Sequence, residues 1–268
     1  MNDRPIGIFD SGFGGLTVAR ALIDLLGDEE IIYVGDTGRY PYGPRPPEEV
    51  RRFSREIAEY LVGVEDVKMI VVACNTAASV AIDELRYDFE VPVVGVIEPG
   101  VRAAAAATRN GEIGVIGTTG TIASGAYQRA AATLHVAKGV HFTACPGFVE
   151  FVERGELDGD SVHVLAERLL SPLRAAGVDT LLLGCTHYPF LARTIGDVMG
   201  REVVLVSSAE ETAFDVRAIL EATGLGRRTP AKGAHRFLSS GDTSWFSTMG
   251  RRLLGPELAA AEAVTFGA

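Results

Sequence analysis

Two cysteines of this chain stand in matching surroundings: Cys74 in VVACNT and Cys185 in LLGCTH, each closing an apolar run and followed by hydroxyl or amide side chains. A thiol acts as base or nucleophile through its thiolate. A helix starting just after it, as Ala77 to Leu85 and the stretch opened by Pro189 predict, favours that charge and lowers the thiol pKa. One cysteine at a strand end is ordinarily a small buried hydrophobe. Two at equivalent places point to chemistry that uses a pair. Inverting a carbon centre by proton transfer is such chemistry, because one base removes the proton from one face and a conjugate acid returns a proton to the other. A cysteine hydrolase needs one thiol with a histidine and has no use for a second opposite. The third cysteine, Cys145, precedes Pro146, has no counterpart in the first half, and is expected to be structural.

Competing chemistries lack their residues. There is no CxxC or HExxH spacing, and two lone cysteines with one histidine leave a zinc site short of ligands, so no metal is expected. Three lysines, Lys68, Lys138 and Lys232, stand against 22 arginines, and none occupies a persuasive Schiff-base position for pyridoxal phosphate. The segment DSGFGGLTV has no P-loop lysine and carries Thr17 where GxGxxG needs its last glycine. A tight strand-to-helix turn and a substrate contact are equally open there.

The elements that would carry these residues repeat. Short apolar runs at Ile6 to Phe9, Ile31 to Val34, Met69 to Ala73 and Val93 to Ile97 are followed by a second set at Ile113 to Ile116, Val140 to Ala144, Thr180 to Leu183 and Val203 to Val206. The first strands of the two sets are offset by 107 residues (113 minus 6) and the cysteines by 111 (185 minus 74). Helix-length segments alternate with the runs; Val50, Phe53, Ile57 and Leu61 recur at helical spacing before Gly63, with Glu48 and Glu49 favouring the first turn. Pro172 is expected to kink or interrupt a helix over 162–176. The plan is α/β: two similar parallel-sheet domains related by a pseudo-twofold axis, with the active site in the cleft between them. The polar clusters Asp10-Ser11, Tyr42-Gly43, Cys74-Asn75-Thr76 and Cys185-Thr186-His187 all follow strand ends, where such sheets bind ligands. A tail follows, with a helix after Ser208 and a strand at Arg236 to Leu238. It has no partner in the repeat, and the pattern leaves open which half it joins. The division adopted is 1–97 with 208–268, and 98–207.

With 25 basic and 35 acidic residues among 268, the formal charge is −10, and no basic run exceeds a pair. That excludes direct nucleic-acid binding and attraction to acidic membranes. No apolar stretch is long enough to span a bilayer, and MNDRPIGIFD is no secretory leader, so a cytoplasmic protein without disulfides is expected.

Four motifs in order, GIFDSGFGGLTV at 7–18, DTGRYPYG at 36–43, ACNTAA at 73–78 and GCTHYP at 184–189, together with RFLSSGD at 236–242, closely resemble bacterial glutamate racemase across the whole chain. The resemblance implies cofactor-independent interconversion of L- and D-glutamate, supplying D-glutamate for peptidoglycan. It makes Cys74 the base for the D-isomer and Cys185 the base for the L-isomer, assisted by Asp10 and His187. It assigns substrate contacts to Asp10, Ser11, Tyr42, Gly43, Asn75, Thr76, Thr186 and His187. Thr118 and Thr121 match a further carboxylate-binding region, and Glu150 a polar neighbour of the histidine. Aspartate racemases share the paired cysteines but differ at His187 and FDSG, which favours glutamate. A homodimer is the family habit. Some members inhibit DNA gyrase, so a basic protein partner stays open for this acidic chain.

Overall fold

The computed structural model describes residues 2–133, 138–227 and 235–266. The chain divides into two compact units, Met1–Val96 with Ala209–Ala268, and Ile97–Ser208.

The first unit begins with β1 (Ile6–Asp10), α1 (Leu16–Leu25), β2 (Ile31–Gly35), α2 (Pro47–Gly63), β3 (Met69–Val72), α3 (Asn75–Asp88) and β4 (Val93–Gly95). These strands are parallel, and β1, β2 and β3 are buried along their whole length, which is why they read as unbroken apolar runs. In α2, Pro47 opens the helix, Glu48 and Glu49 sit in its first turn, and Val50, Phe53, Ile57 and Leu61 form the buried stripe.

The second unit follows the same plan: α4 (Ile97–Ala107), β5 (Glu112–Gly117), α5 (Thr119–Ala123), α6 (Ala126–Ala132), β6 (Gly139–Ala144), α7 (Phe148–Glu153), α8 (Asp160–Ala175), β7 (Thr180–Gly184), α9 (Ala192–Met199) and β8 (Val204–Val206). Its parallel order β6-β5-β7-β8 reproduces the order β2-β1-β3-β4 of the first. Two local expectations are corrected. Helix α8 runs through Pro172, because the Arg168 carbonyl that a proline cannot bond accepts from Ser171 Oγ at 3.1 Å. The stretch at Pro189 opens as a 3-10 turn, Tyr188–Leu191, before α9. Tyr188 N donates to Cys185 O and Phe190 N to His187 O, both at 3.1 Å.

The tail returns to the first unit as α10 (Ala209–Thr223), β9 (Arg236–Ser239), α11 (Thr243–Leu254) and β10 (Glu262–Ala263). Strand β9 pairs with β2, completing the sheet order β10-β9-β2-β1-β3-β4.

Lys68, just before β3, is fully buried; its Nζ pairs with Glu29 and donates to the Asn2 carbonyl at 3.2 Å, while Arg227 N donates to the other Glu29 oxygen at 2.8 Å. It is therefore a structural cation at the strand's amino end. Lys138 also precedes a strand, and Lys232 lies outside the described residues. Among the described residues no helix is long and apolar enough to cross a membrane.

Candidate active site

In the first unit the polar groups gather at the carboxyl ends of β1, β2 and β3. Asp10 closes β1, fully buried, and its Oδ2 accepts from Gly12 N at 3.0 Å. The following turn is tight: a Cβ on Gly15 would lie 2.6 Å from Asp10 Cβ, 2.9 Å from the Tyr33 hydroxyl and 3.0 Å from Ala73 Cβ. Tyr33 in turn donates to the Gly12 carbonyl at 2.8 Å. Close backbone approach thus accounts for glycine at position 15.

Cys74 follows β3 and caps α3, its sulfur accepting from Ala77 N at 3.5 Å and standing 3.7 Å from Ser11 Oγ. The expected lowering of its pKa is corrected. Burial, and next the Asp10 charge, push the thiol up to about 12, outweighing the helix-terminal N–H and the serine. Asn75 and Thr76 form the buried first turn of α3.

The loop after β2 is tied to Asp10 through Asp36 N, which donates to the Asp10 carbonyl at 2.9 Å. The buried Asp36 carboxylate accepts from the Tyr42 hydroxyl, from Arg39 Nε at 2.8 Å and from Ser240 Oγ at 2.6 Å. Burial and then the Asp36 charge hold the Tyr42 phenol well above its ordinary pKa, so it stays a donor. Gly43 is half-buried beside it.

In the second unit Cys185 follows β7 and shares a side-chain hydrogen bond with His187, whose Nε2 lies 2.7 Å from Glu153 Oε1 on α7. Burial alone would lower the imidazole pKa. The hydrogen bonds to Cys185 and Glu153, with their charges, override it and raise the pKa to about 10. The ring is therefore protonated at neutral pH. Thr186, between Cys185 and His187 in sequence, is buried. On the neighbouring strand end, Thr118 caps α5 by accepting from Thr121 N at 3.2 Å, and the two hydroxyls lie 2.9 Å apart. Cys145, after β6, is buried with its thiol pushed up to about 12 by burial and then by the Cys185 charge; its carbonyl accepts from Tyr188 Oη at 3.2 Å.

A sequence model of the Asp/Glu/hydantoin racemases matches residues 14–214. The chain belongs to that family. Over 270 aligned residues it is 54% identical to a glutamate racemase of Beutenbergia cavernae, covering 96% of this chain and 92% of the relative. A crystal structure of a Bacillus anthracis glutamate racemase superposes with a TM-score of 0.92 at 42% identity, over 100% of this chain and 98% of that one. The Francisella tularensis glutamate racemase, solved in complex with D-glutamate, gives 0.91 at 32% identity, over 99% and 98%. Membership makes the chain an isomerase.

Against this family background the expected residues form two clusters. Asp10, Ser11, Cys74, Asn75, Thr76 and Tyr42 gather in the first unit, and Cys185, Thr186 and His187 in the second, with Thr118 and Thr121 at the adjacent strand end. Glu150 is exposed, and Glu153, one helical turn further along α7, meets the histidine instead. Sequence reasoning missed Glu153 and Asp36. The signals were there: FVEFVE puts both glutamates on one helix face, and Asp36 directly follows β2 while Asp10 closes the neighbouring β1.

Proposed function

We propose that this chain is a glutamate racemase working by two-base proton transfer, without a cofactor. The observation that carries the proposal is the contrast between two thiols at equivalent strand ends. Cys74 is buried beside Asp10 and held as a thiol, while Cys185 is hydrogen-bonded to a protonated imidazole backed by Glu153. Inversion requires one acid and one base on opposite faces of the carbon.

With L-glutamate bound, the Cys185 thiolate, stabilised by His187, takes the α-proton, and the electron pair is left on a carbanion conjugated with the carboxylate. The Cys74 thiol then delivers its proton to the other face, giving D-glutamate. Cys74 is left as thiolate and Cys185 as thiol, which is the form that accepts D-glutamate for the reverse reaction. Asp10 accepts from the substrate ammonium. Asn75, Thr76, Thr186, Thr118 and Thr121, at or beside helix N-termini, together with Ser11, Tyr42 and Gly43, provide donors for the two carboxylates. Excluding water strengthens those bonds as charge develops.

Glutamate as substrate is supported by the names of the relatives and by the D-glutamate in the Francisella tularensis structure. D-glutamate made in the cytoplasm would enter peptidoglycan, and a closed homodimer is the proposed assembly. The test is incubation of purified protein with L-glutamate under reducing conditions and no added cofactor, followed by polarimetry and chiral chromatography. D-glutamate should accumulate to a racemic mixture while aspartate stays unchanged. No conversion, or conversion of aspartate alone, would overturn the proposal.

A further inference from the structure

The loop 36–43 carries Tyr42 and Gly43 but has no regular structure of its own, so something else must hold it. The unrepeated tail does. Where β9 ends beside β2, Ser240 Oγ donates to Asp36 Oδ1 at 2.6 Å and accepts from Gly38 N at 3.0 Å. Alongside it, Thr37 Oγ1 lies 2.6 Å from Ser239 Oγ and accepts from Gly241 N at 3.1 Å. The backbones are in close contact, since a Cβ on Gly38 would come within 2.7 Å of the Ser240 carbonyl. Among the described residues the second unit has no strand beyond β6, which is the edge of its sheet.

We propose that Ser240, from the C-terminal tail, is a positioning residue for racemisation, acting through Asp36 to fix Tyr42. The proposal rests on the racemase function above. A hydroxyl is suited to this place because it donates to the carboxylate and accepts from the loop amide at once. Without it, among the described residues, Asp36 keeps Arg39 and Tyr42 as side-chain donors, and the loop amide of Gly38 loses its side-chain acceptor. The carboxylate is then free to shift with its loop, carrying the Tyr42 phenol away from the substrate.

The experiment compares the wild-type full chain with Ser240→Ala and Ser240→Thr in steady-state racemisation of both glutamate enantiomers, alongside thermal unfolding. Loss of one hydrogen bond to a charged group predicts a rise of about tenfold in KM for Ser240→Ala. Its kcat should stay within about twofold, and Ser240→Thr should regain most of the affinity. A purely structural serine would lower the unfolding temperature without raising KM, and that result would overturn the proposal, as would a threonine variant as impaired as the alanine one. Should Ser240→Ala fail to fold, Ser240→Cys, a weak donor of similar size, must show raised KM for the proposal to stand. An inactive wild type would remove the racemase function and this role with it, whereas an active wild type with unaltered Ser240→Ala kinetics would remove only this role.

Discussion

The two thiols have the same neighbours in sequence type but opposite electrostatics. Burial, and next the Asp10 carboxylate, raise the pKa of Cys74, whereas Cys185 faces an imidazole whose pKa is raised by its hydrogen bond to Cys185 and then by Glu153, against the lowering effect of burial. Glu153 is therefore expected to govern the pH range of the reaction. Glu153→Gln removes one of the two partners that raise His187, the other being Cys185, so the alkaline limb of kcat/KM should move to lower pH and the rate should fall roughly tenfold or more, measurable as a pH–rate profile. Because the equilibrium constant between enantiomers is unity, the loss in kcat/KM must be equal in both directions. The cysteines, Asp10 and His187 were legible in the sequence because strand ends and the internal repeat mark them out. The choice of Glu153 over Glu150 was not, since residues three apart share a helix face and only the backbone direction of α7 decides between them. The raised pKa of Cys74 was equally hidden, because a helix N-terminus is visible in sequence and the burial that outweighs it is not.

Each cluster is built by strands that stop and helices that start. All eight repeated strands were legible, since buried parallel strands are short apolar runs bounded by turn residues. In the tail the helix after Ser208 and the strand at Arg236 were legible too, but the strand's place beside β2, about two hundred residues away in sequence, was not, because no periodicity records that pairing. The turn between β1 and α1 offers a sharp test. In Gly15→Ala the new methyl meets Asp10 Cβ, Tyr33 Oη and Ala73 Cβ, none of them the free end of a flexible chain. Overpacking of this kind should cost about 1 to 3 kcal/mol in denaturant titration and depress racemisation by moving Asp10 from Cys74. Helix α8 makes the converse point. A proline alone predicts a break, but Ser171 rescues the orphaned carbonyl from the preceding position.

For the whole molecule, buried ionisable groups set the response to pH. The thiols of Cys74 and Cys145 reach about 12 in the fold against an ordinary value of about 8.5, so the native state holds those protons more tightly. Their contribution to stability is complete below about pH 8.5 and is lost as pH rises towards 12. His187, raised from its ordinary 6.5 to about 10, contributes fully below 6.5 and loses that contribution as pH rises through 10. Both effects run the same way: the unfolding temperature should fall from neutral to alkaline pH, and Cys145→Ala should show a shallower fall above pH 9 while still racemising glutamate. The Lys68 and Glu29 pair sits at the amino end of the first sheet, remote in the strand direction from Cys74. Glu29→Gln leaves a buried ammonium short of its counter-charge and should cost about 3 to 5 kcal/mol by chemical denaturation. The net charge of −10 says nothing against an anionic substrate, since the donors proposed to meet it are backbone amides and hydroxyls at helix starts.

The most direct measurement is racemisation of L-glutamate in deuterium oxide, stopped early and read by mass spectrometry for each enantiomer. Two bases on opposite faces predict that the D-glutamate formed carries solvent deuterium at its α-carbon while the remaining L-glutamate carries none, and that Cys74→Ser and Cys185→Ser each abolish turnover. Product that keeps the substrate's own α-proton, deuterium appearing in unreacted L-glutamate, or full activity in either serine variant would contradict it.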